Sequence, residues 1–252
     1  MRSNFVKDKL NSGETSVGTF LNLCSPMAAE ALIALGYEWA VVDTEHSAWD
    51  FADATATFAA IEAKGGIPLA RTWDHSRVAI SRLLDAGALG LVIPHVSTAE
   101  SAEQFADAFR YPPLGHRSVG SSRATLLNSE YRNGWANDNV MLIPQIEDPN
   151  GVANVYEIAS IEGVDAIFIG PNDLALEMGL TANDVFTHPD HLAAINEILN
   201  GAKKAGKPAG LSVSDGATAK RFIKDGFTMI DLSNDFRLLQ KSASNELAKA
   251  IR

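Results

Sequence analysis

Two stretches decide the fold of this chain: Val-Met-Leu-Ile-Pro-Gln-Ile-Glu at residues 140–147 and Ala-Ile-Phe-Ile-Gly-Pro-Asn-Asp at residues 166–173. In each, an apolar run of strand length passes directly into polar residues. Glu147 and Asp173 therefore follow the ends of two successive strands. If these strands are parallel neighbours, the two carboxylates lie at one edge and can share a divalent cation, because Mg²⁺ and Mn²⁺ prefer oxygen ligands. The alternative is that both are solvated loop residues, or that Asp173 caps the next helix.

The same alternation continues along the whole chain. Strand-length apolar runs stand at residues 17–23, 39–42, 67–70, 89–93, 140–143, 166–169, 208–213 and 227–232. Helical patterns separate them, including one at 97–110 with Ser97 as N-cap, a patch at 125–136 and helical material from 182 to 205. An irregular segment rich in Pro, Gly and Arg occupies 111–123. A last helix is expected at 238–251.

Eight strands alternating with helices over ~250 residues predict a (β/α)₈ TIM barrel. No linker or change in composition divides the chain, so we expect a single domain over residues 1–252. The alternative, a doubly wound open sheet, usually carries a glycine-rich turn after its first strand. Here that position holds Cys-Ser-Pro-Met at residues 24–27, which favours the barrel.

The composition is that of an ordinary soluble globular protein, with 46 % hydrophobic and 21 % charged residues. A net charge of −10 argues against a nucleic-acid or membrane partner, because both attract basic surfaces. The single cysteine, Cys24, excludes an intrachain disulfide and a cysteine-based metal site. The sequence has no signal-peptide core and no run of ~18 apolar residues. We therefore expect a cytoplasmic protein.

Chemically capable side chains follow the second to sixth predicted strands. They are Asp43, Glu45 and His46 after the second strand, Arg71 after the third, His95 after the fourth, Gln145 and Glu147 after the fifth, and Asp173 after the sixth. The opposite strand ends carry ordinary turn residues. Because barrel active sites lie at the C-terminal ends of the strands, this asymmetry predicts an enzyme.

Some of these groups suit proton transfer and charge stabilisation. His46 is a candidate base, with Asp43 three residues earlier to orient it. Arg71 either neutralises a carboxylate in the wall or stabilises an oxyanion of the substrate. No lysine stands at a predicted strand C-terminus, so a Schiff-base mechanism has no candidate nucleophile. Carbonyl chemistry at this site would therefore need the metal.

At these residues the chain resembles the HpcH/HpaI aldolase family, the metal-dependent class II pyruvate aldolases. The matching segments are Ser25-Pro26 with Glu30, Val42 to His46, Pro68 to Arg71, Leu84 to Ala88, Tyr111 to Arg117, Gln145 to Glu147 and Gly163 to Leu174. They follow one another in the family's order over most of the chain. The resemblance implies a (β/α)₈ barrel assembled as a homo-oligomer, a hexamer or trimer, with the last helix packed on a neighbour.

The resemblance also implies a role for each site residue. Glu147 and Asp173 match the metal ligands, and Arg71 matches the enolate-stabilising arginine. His46 with Asp43 matches the base dyad, and Glu45 and Gln145 match positions around the metal and the substrate. Gly170, Pro171 and Asn172 match the segment that holds the pyruvate carboxylate. The implied cofactor is Mg²⁺, Mn²⁺ or Co²⁺. Two departures from the family pattern, Ser118 after Arg117 and the loop at 73–75, concern the aldehyde end of the substrate.

The implied reaction is the reversible cleavage of a 4-hydroxy-2-oxo acid into pyruvate and an aldehyde. A 2-keto-3-deoxy sugar acid or 4-hydroxy-2-oxoheptanedioate would be such a substrate. Two other interpretations stay open. A carbon–carbon lyase acting on an acyl-CoA thioester would need basic residues at the barrel mouth, for which Arg110, Arg117 and Arg123 are the only cluster. A non-catalytic barrel with a degenerate site is the other, although the full set of site residues argues against it.

Overall fold

A computed structural model of the protein describes residues 3–120 and 123–251. Met1, Arg2 and Arg252 lie outside the described residues. Ser121 and Ser122, which belong to the irregular segment expected at 111–123, also lie outside them.

Eight parallel strands close into a barrel in the order of the sequence, with β1 paired to both β2 and β8. The strands are β1 (Ser16–Leu21), β2 (Trp39–Asp43), β3 (Ile67–Arg71), β4 (Gly90–Ile93), β5 (Met141–Ile146), β6 (Ile167–Ile169), β7 (Ala209–Val213) and β8 (Met229–Asn234). This topology confirms the predicted (β/α)₈ barrel. The largest difference concerns β5, which continues through Gln145 to Ile146 instead of ending near Ile143.

Helices separate successive strands, and one more helix precedes β1 and another follows β8. They are α1 (Phe5–Asn11), α2 (Pro26–Ala34), α3 (Phe51–Ala63), α4 (Arg77–Ala86), α5 (Ala99–Phe109), α6 (Ala124–Leu127), α7 (Ala136–Asn139), α8 (Pro149–Ala153), α9 (Val155–Ser160), α10 (Pro171–Glu177), α11 (Pro189–Lys204), α12 (Gly216–Asp225) and α13 (Asp235–Ile251). A π-helical turn, Tyr131–Trp135, and a 3₁₀ turn, Ala182–Asp184, complete the set. None of the described helices combines the length and apolar character needed to cross a bilayer.

The barrel strands are apolar because helices cover them from outside and side chains fill them from inside. All residues of β2 and β3 are buried, and Trp39 of β2 is among the largest fully buried side chains. The indole of Trp39 occupies the space beside Gly18 of β1, where any Cβ would overlap it. A glycine in β1 therefore makes room for the largest side chain of the core.

The short helix α1 was not predicted from the sequence. Its N-cap, Asn4, donates through Nδ2 to the carbonyl oxygens of Leu89 and Asn139, at 3.2 and 2.9 Å. Both acceptors precede strands, so α1 lies at the N-terminal ends of β4 and β5. Val6 and Leu10 of α1 are buried in the core.

The helical predictions need three corrections. Ser97 is not the N-cap of α5, because Thr98 Oγ1 accepts the Ser101 N–H at 3.2 Å while the Ser97 hydroxyl donates to Asp148. The helical patch at 125–136 is also wrong as a single element. It is divided into α6 and the π-helical turn, inside which Gly134 adopts a φ of +109°. The backbone at such a φ cannot continue a right-handed helix.

The material expected from 182 to 205 is divided as well. The 3₁₀ turn ends at Asp184, and α11 begins at Pro189 with His188 as its N-cap. Proline lacks a backbone N–H and holds the preceding residue in extended backbone, so the helix starts afresh at this position.

Candidate active site at the C-terminal end of the barrel

A buried arginine–carboxylate pair joins the ends of β2 and β3. The strand register sets Asp43 beside Arg71. Arg71 donates from Nε to Asp43 Oδ1 at 2.9 Å and from Nη2 to Oδ2 at 2.7 Å, and Glu45 Oε2 lies 3.2 Å from Nε. The ring of Phe20 packs against the guanidinium, 5.2 Å from centroid to Cζ. Arg71 is thus held in one orientation by three neighbours.

Asp43 also receives other donors. Its Oδ2 accepts from Asn22 Nδ2 at 2.9 Å, and its Oδ1 from the backbone N–H groups of Glu45 and His46, both at 3.3 Å. Burial raises the pKa of Asp43, but the hydrogen bonds and charge of Arg71 outweigh burial and the net pKa lies below its ordinary value. Asp43 is therefore an anion whose main partner is Arg71.

His46 stands at the same strand end but is more exposed. Its Nε2 lies 3.7 Å from Glu45 Oε2, and 59 % of its side chain is accessible. Asp43 contacts the backbone N–H of His46, and no hydrogen bond between Asp43 and the imidazole is found among the described residues. The carboxylate nearest to the imidazole is thus Glu45, whereas the sequence pointed to Asp43.

A buried carboxylate ends β5. Glu147 is 1 % exposed, and its Oε1 accepts the backbone N–H of His95 at 2.7 Å while its Oε2 accepts from Gln145 Nε2 at 2.5 Å. Burial raises the pKa of Glu147 to about 7; the negative charge of Asp173 also raises it, and His95 and Arg71 oppose these effects. The two carboxylates predicted at neighbouring strand ends therefore lie close enough to repel each other.

The connection after β6 brings the backbone against this carboxylate. A Cβ at Gly170 would lie 2.5 Å from Gln145 Nε2, 3.0 Å from Glu147 Cβ and closer still to Glu147 Oε2. Asp173 follows in the first turn of α10, where the helix dipole favours an acid. Gly170 is the N-cap of that helix, so the alternative in which Asp173 caps it does not hold.

These groups surround a cavity of about 540 Å³ at the C-terminal end of the barrel. Of the predicted site residues, the cavity is lined by Asp43, His46, Arg71, Gln145, Gly170, Pro171, Asn172 and Asp173. The other two, Glu45 and Glu147, contact lining residues directly. The structure thus brings all the predicted site residues together.

Other residues of the cavity escaped the sequence analysis. Asn22, the first polar residue after β1, contacts Asp43 and Ser47 through Nδ2. Asp231 lies within β8, is 5 % exposed, and accepts the backbone N–H of Phe20 at 3.1 Å. Burial raises the pKa of Asp231 to about 7, against the effects of Ser212 and the Phe20 N–H. Both residues interrupt runs that the sequence analysis treated as apolar strands, Asn22 within residues 17–23 and Asp231 within 227–232.

The donor set fits a divalent cation with open coordination positions. In residues 3–120 and 123–251 no group of three or more His, Cys, Asp or Glu side chains could hold a metal. Two carboxylates suffice for an ion that keeps water and substrate in its remaining positions. The mutual repulsion of Glu147 and Asp173, together with a Gln145 Oε1 that is buried without a partner among the described residues, matches such a site.

The three arginines required for a CoA site are all paired elsewhere. Arg110 contacts Asp165 at 2.7 Å, Arg117 contacts Asp85 at 2.8 Å and Arg123 contacts Glu62 at 2.5 Å. Arg110 also donates to the carbonyl oxygens of Val140 and Gly163, which precede strands and so lie at the opposite end of the barrel. These contacts give the cluster a structural role and remove the main support for a thioester substrate.

A closed parallel barrel with carboxylates and an arginine at its C-terminal strand ends defines a barrel enzyme. The chain belongs to the HpcH/HpaI aldolase/citrate lyase family, whose model matches residues 16–242. This membership confirms the resemblance seen in the sequence and the expectation of an aldolase-type lyase.

Two curated relatives and one solved structure illustrate the similarity. A hydroxypyruvate/pyruvate aldolase of Pseudomonas aeruginosa is 37 % identical over 95 % of this chain and 90 % of its own length. A 5-keto-4-deoxy-D-glucarate aldolase of Shigella sonnei is 36 % identical over 99 % and 97 %. The crystal structure of a family member from Burkholderia cenocepacia superposes with a TM-score of 0.93 at 32 % identity, covering 99 % of this chain and all of the other.

Proposed function

We propose that this protein cleaves a 4-hydroxy-2-oxo acid reversibly into pyruvate and an aldehyde, using a divalent cation held by Glu147 and Asp173. The observation that carries the proposal is the shared cavity: Asp173 and the fixed guanidinium of Arg71 line it, and Glu147 lies directly behind the lining residue Gln145. Relatives named as pyruvate and keto-deoxy sugar acid aldolases support the reaction class.

The reaction breaks the C3–C4 bond and leaves its electron pair on the pyruvate fragment. A base takes the proton of the 4-hydroxyl, the aldehyde leaves, and the pyruvate enolate gains a proton at C3. When bound, a divalent cation supplies a Lewis acid that polarises the 2-oxo group, and Mg²⁺, Mn²⁺ and Co²⁺ are the candidates. The protein's own side chains carry out the other steps.

Arg71 stabilises the oxygen on C2 as negative charge grows there. Asp43 engages Nε and Nη2, while Nη1 has no partner among the described residues and can donate into the cavity. Preorganised donors of this kind are worth about 10²–10³ in rate. Asp43 therefore acts by orienting Arg71.

His46 moves the proton of the 4-hydroxyl, directly or through a water. It lines the cavity, and Glu45 is the carboxylate near its imidazole. Gln145 fixes Glu147 through its hydrogen bond at 2.5 Å. The segment at 170–172 leads into α10, whose first-turn N–H groups suit the substrate carboxylate.

We also propose a homo-oligomer, a hexamer or trimer, in which α13 packs on a neighbour. Among the described residues of this long helix only Asp235 is buried. Phe236, Leu239, Leu247 and Ile251 are between 45 and 72 % exposed. Their spacing puts them on one face of the helix. The cytoplasmic location expected from the sequence stays a prediction.

The test supplies the purified protein with Mn²⁺ and a 4-hydroxy-2-oxo acid and follows pyruvate with lactate dehydrogenase. We expect pyruvate and aldehyde in equal amounts, and a loss of about 10²–10³ in turnover for Arg71→Ala with the fold retained by circular dichroism. A near-normal rate in Arg71→Ala would remove the role of Arg71. Absence of pyruvate from every acid tested would contradict the aldol reaction itself.

A further inference from the structure

The cavity has a second wall, formed by β7, β8 and the start of α13, that the proposed reaction does not use. Ser212, Ser214, Asp231, Asn234 and Arg237 line it. The groups that bind and activate the pyruvate part all come from the strand ends β2, β3, β5 and β6. This second wall is therefore available to the aldehyde part of a substrate.

Arg237 is the cation of this wall that is free to bind a ligand. The other arginine of the cavity, Arg71, is committed to Asp43 and Glu45. Within residues 3–120 and 123–251 the guanidinium of Arg237 takes part in no hydrogen bond and has no carboxylate within 4 Å, although its charge acts on the more distant Asp231. Its side chain is exposed and borders the cavity.

The backbone that carries Arg237 is firmly anchored. Asn234 Oδ1 accepts the Arg237 N–H at 2.8 Å, which fixes the first turn of α13. The neighbouring Asp235, 5 % exposed, accepts the backbone N–H groups of Asn22 and Leu23 at 2.7 and 3.1 Å. A free guanidinium on a rigid base is well placed to select a ligand.

An anionic aldehyde would meet several carboxyl groups in this cavity, and Arg237 is the cation on its second wall that can offset them. Asp43, Asp173 and Asp231 line the space and Glu147 lies behind it. A second negative group on the substrate would be repelled there unless a cation received it. Arginine binds carboxylates and phosphates through two parallel N–H···O bonds, which gives orientation as well as attraction.

We propose that Arg237 determines specificity by pairing with an oxyanion, a carboxylate or a phosphate, at the aldehyde end of the substrate. The proposal rests on the aldol reaction proposed above. It predicts that the protein selects aldehydes with a terminal anion over uncharged aldehydes of similar length.

The test measures kcat/KM for aldol addition of pyruvate to two matched pairs of aldehydes. Succinic semialdehyde is compared with pentanal, and glyceraldehyde 3-phosphate with glyceraldehyde. For at least one pair we expect Arg237→Gln to lower the anionic-to-neutral ratio by about tenfold or more, mainly through KM, and Arg237→Lys to restore part of it. The pair that responds identifies the anion as carboxylate or phosphate.

The matched control is Lys241→Ala, which removes one positive charge from the exposed part of the same helix, outside the cavity. This variant should keep the wild-type ratio. Equal ratios in Arg237→Gln and wild type for both pairs would overturn the proposal, as would a wild-type preference for the neutral aldehydes. Failure of the aldol reaction gives a different result, because wild type would then consume pyruvate with none of the four aldehydes.

Discussion

Substitution of Gly170 by alanine tests the geometry of the carboxylate site in isolation. The φ of −91° at Gly170 is open to alanine, so the effect comes from space alone. The new Cβ would lie 2.5 Å from Gln145 Nε2 and 3.0 Å from Glu147 Cβ, where ordinary contacts need about 3.5–4.0 Å. Gln145 and Glu147 must therefore retreat by roughly 1 Å.

A displacement of this size is large for a metal site, in which ligand distances hold to within about 0.2 Å. Misplacement by 1 Å can cost about 100-fold in rate. We expect Gly170→Ala to lower the rate of pyruvate formation by about 100-fold and to weaken Mn²⁺ binding measured by calorimetry. Overpacking should lower the free energy of unfolding by only about 1–3 kcal/mol, so the variant should fold.

The control is Gly216→Ala at the first position of α12. An added Cβ there meets no atom within 4 Å, and the substitution should change neither rate nor metal affinity. If Gly170→Ala kept its rate and Mn²⁺ affinity within threefold of wild type, the close approach of the 170 backbone to Glu147 would not matter for function.

The remaining predictions concern stability and assembly. Because the pKa of Asp231 is raised from 3.8 to about 7, the folded protein binds this proton more tightly than the unfolded chain, and the contribution to stability is lost as the pH rises from about 4 to 7. Asp231→Asn cannot titrate, so between pH 4 and pH 8 its free energy of unfolding should fall by about 4 kcal/mol less than that of wild type. Parallel pH profiles of the two proteins in chemical denaturation would refute this. The double variant Leu239→Glu/Leu247→Glu on the exposed face of α13 should lower the oligomeric state seen by light scattering, and an unchanged mass would exclude that face as the interface.

Much of the site could be predicted from the sequence because barrel strands end in register. Glu147 and Asp173 each follow an apolar run, and parallel closure alone brings such residues to one rim. The same reasoning found Arg71 and Gln145. What it requires is only the position of each strand end, which a short apolar run marks to within a few residues.

The pairing of the side chains was harder to predict from the sequence, because it depends on contacts between distant segments. Asp43 stands three residues before His46, which suggested a dyad. The register of β2 and β3 instead places the carboxylate oxygens of Asp43 against the guanidinium of Arg71. Asp231 lies in the apolar run of β8 and pairs with an N–H of Phe20, where the β1–β8 register shifts. A bulge of this kind leaves no mark in the hydrophobic pattern.

The central claim is that a divalent cation between Glu147 and Asp173 and the guanidinium of Arg71 together stabilise the enolate of pyruvate. Exchange of the C3 protons of pyruvate in D₂O, followed by ¹H NMR, tests it without knowledge of the aldehyde. We predict that the methyl signal decays with protein and Mg²⁺ or Co²⁺, and persists after chelation or in Glu147→Gln. Undiminished exchange in the presence of chelator would contradict the account.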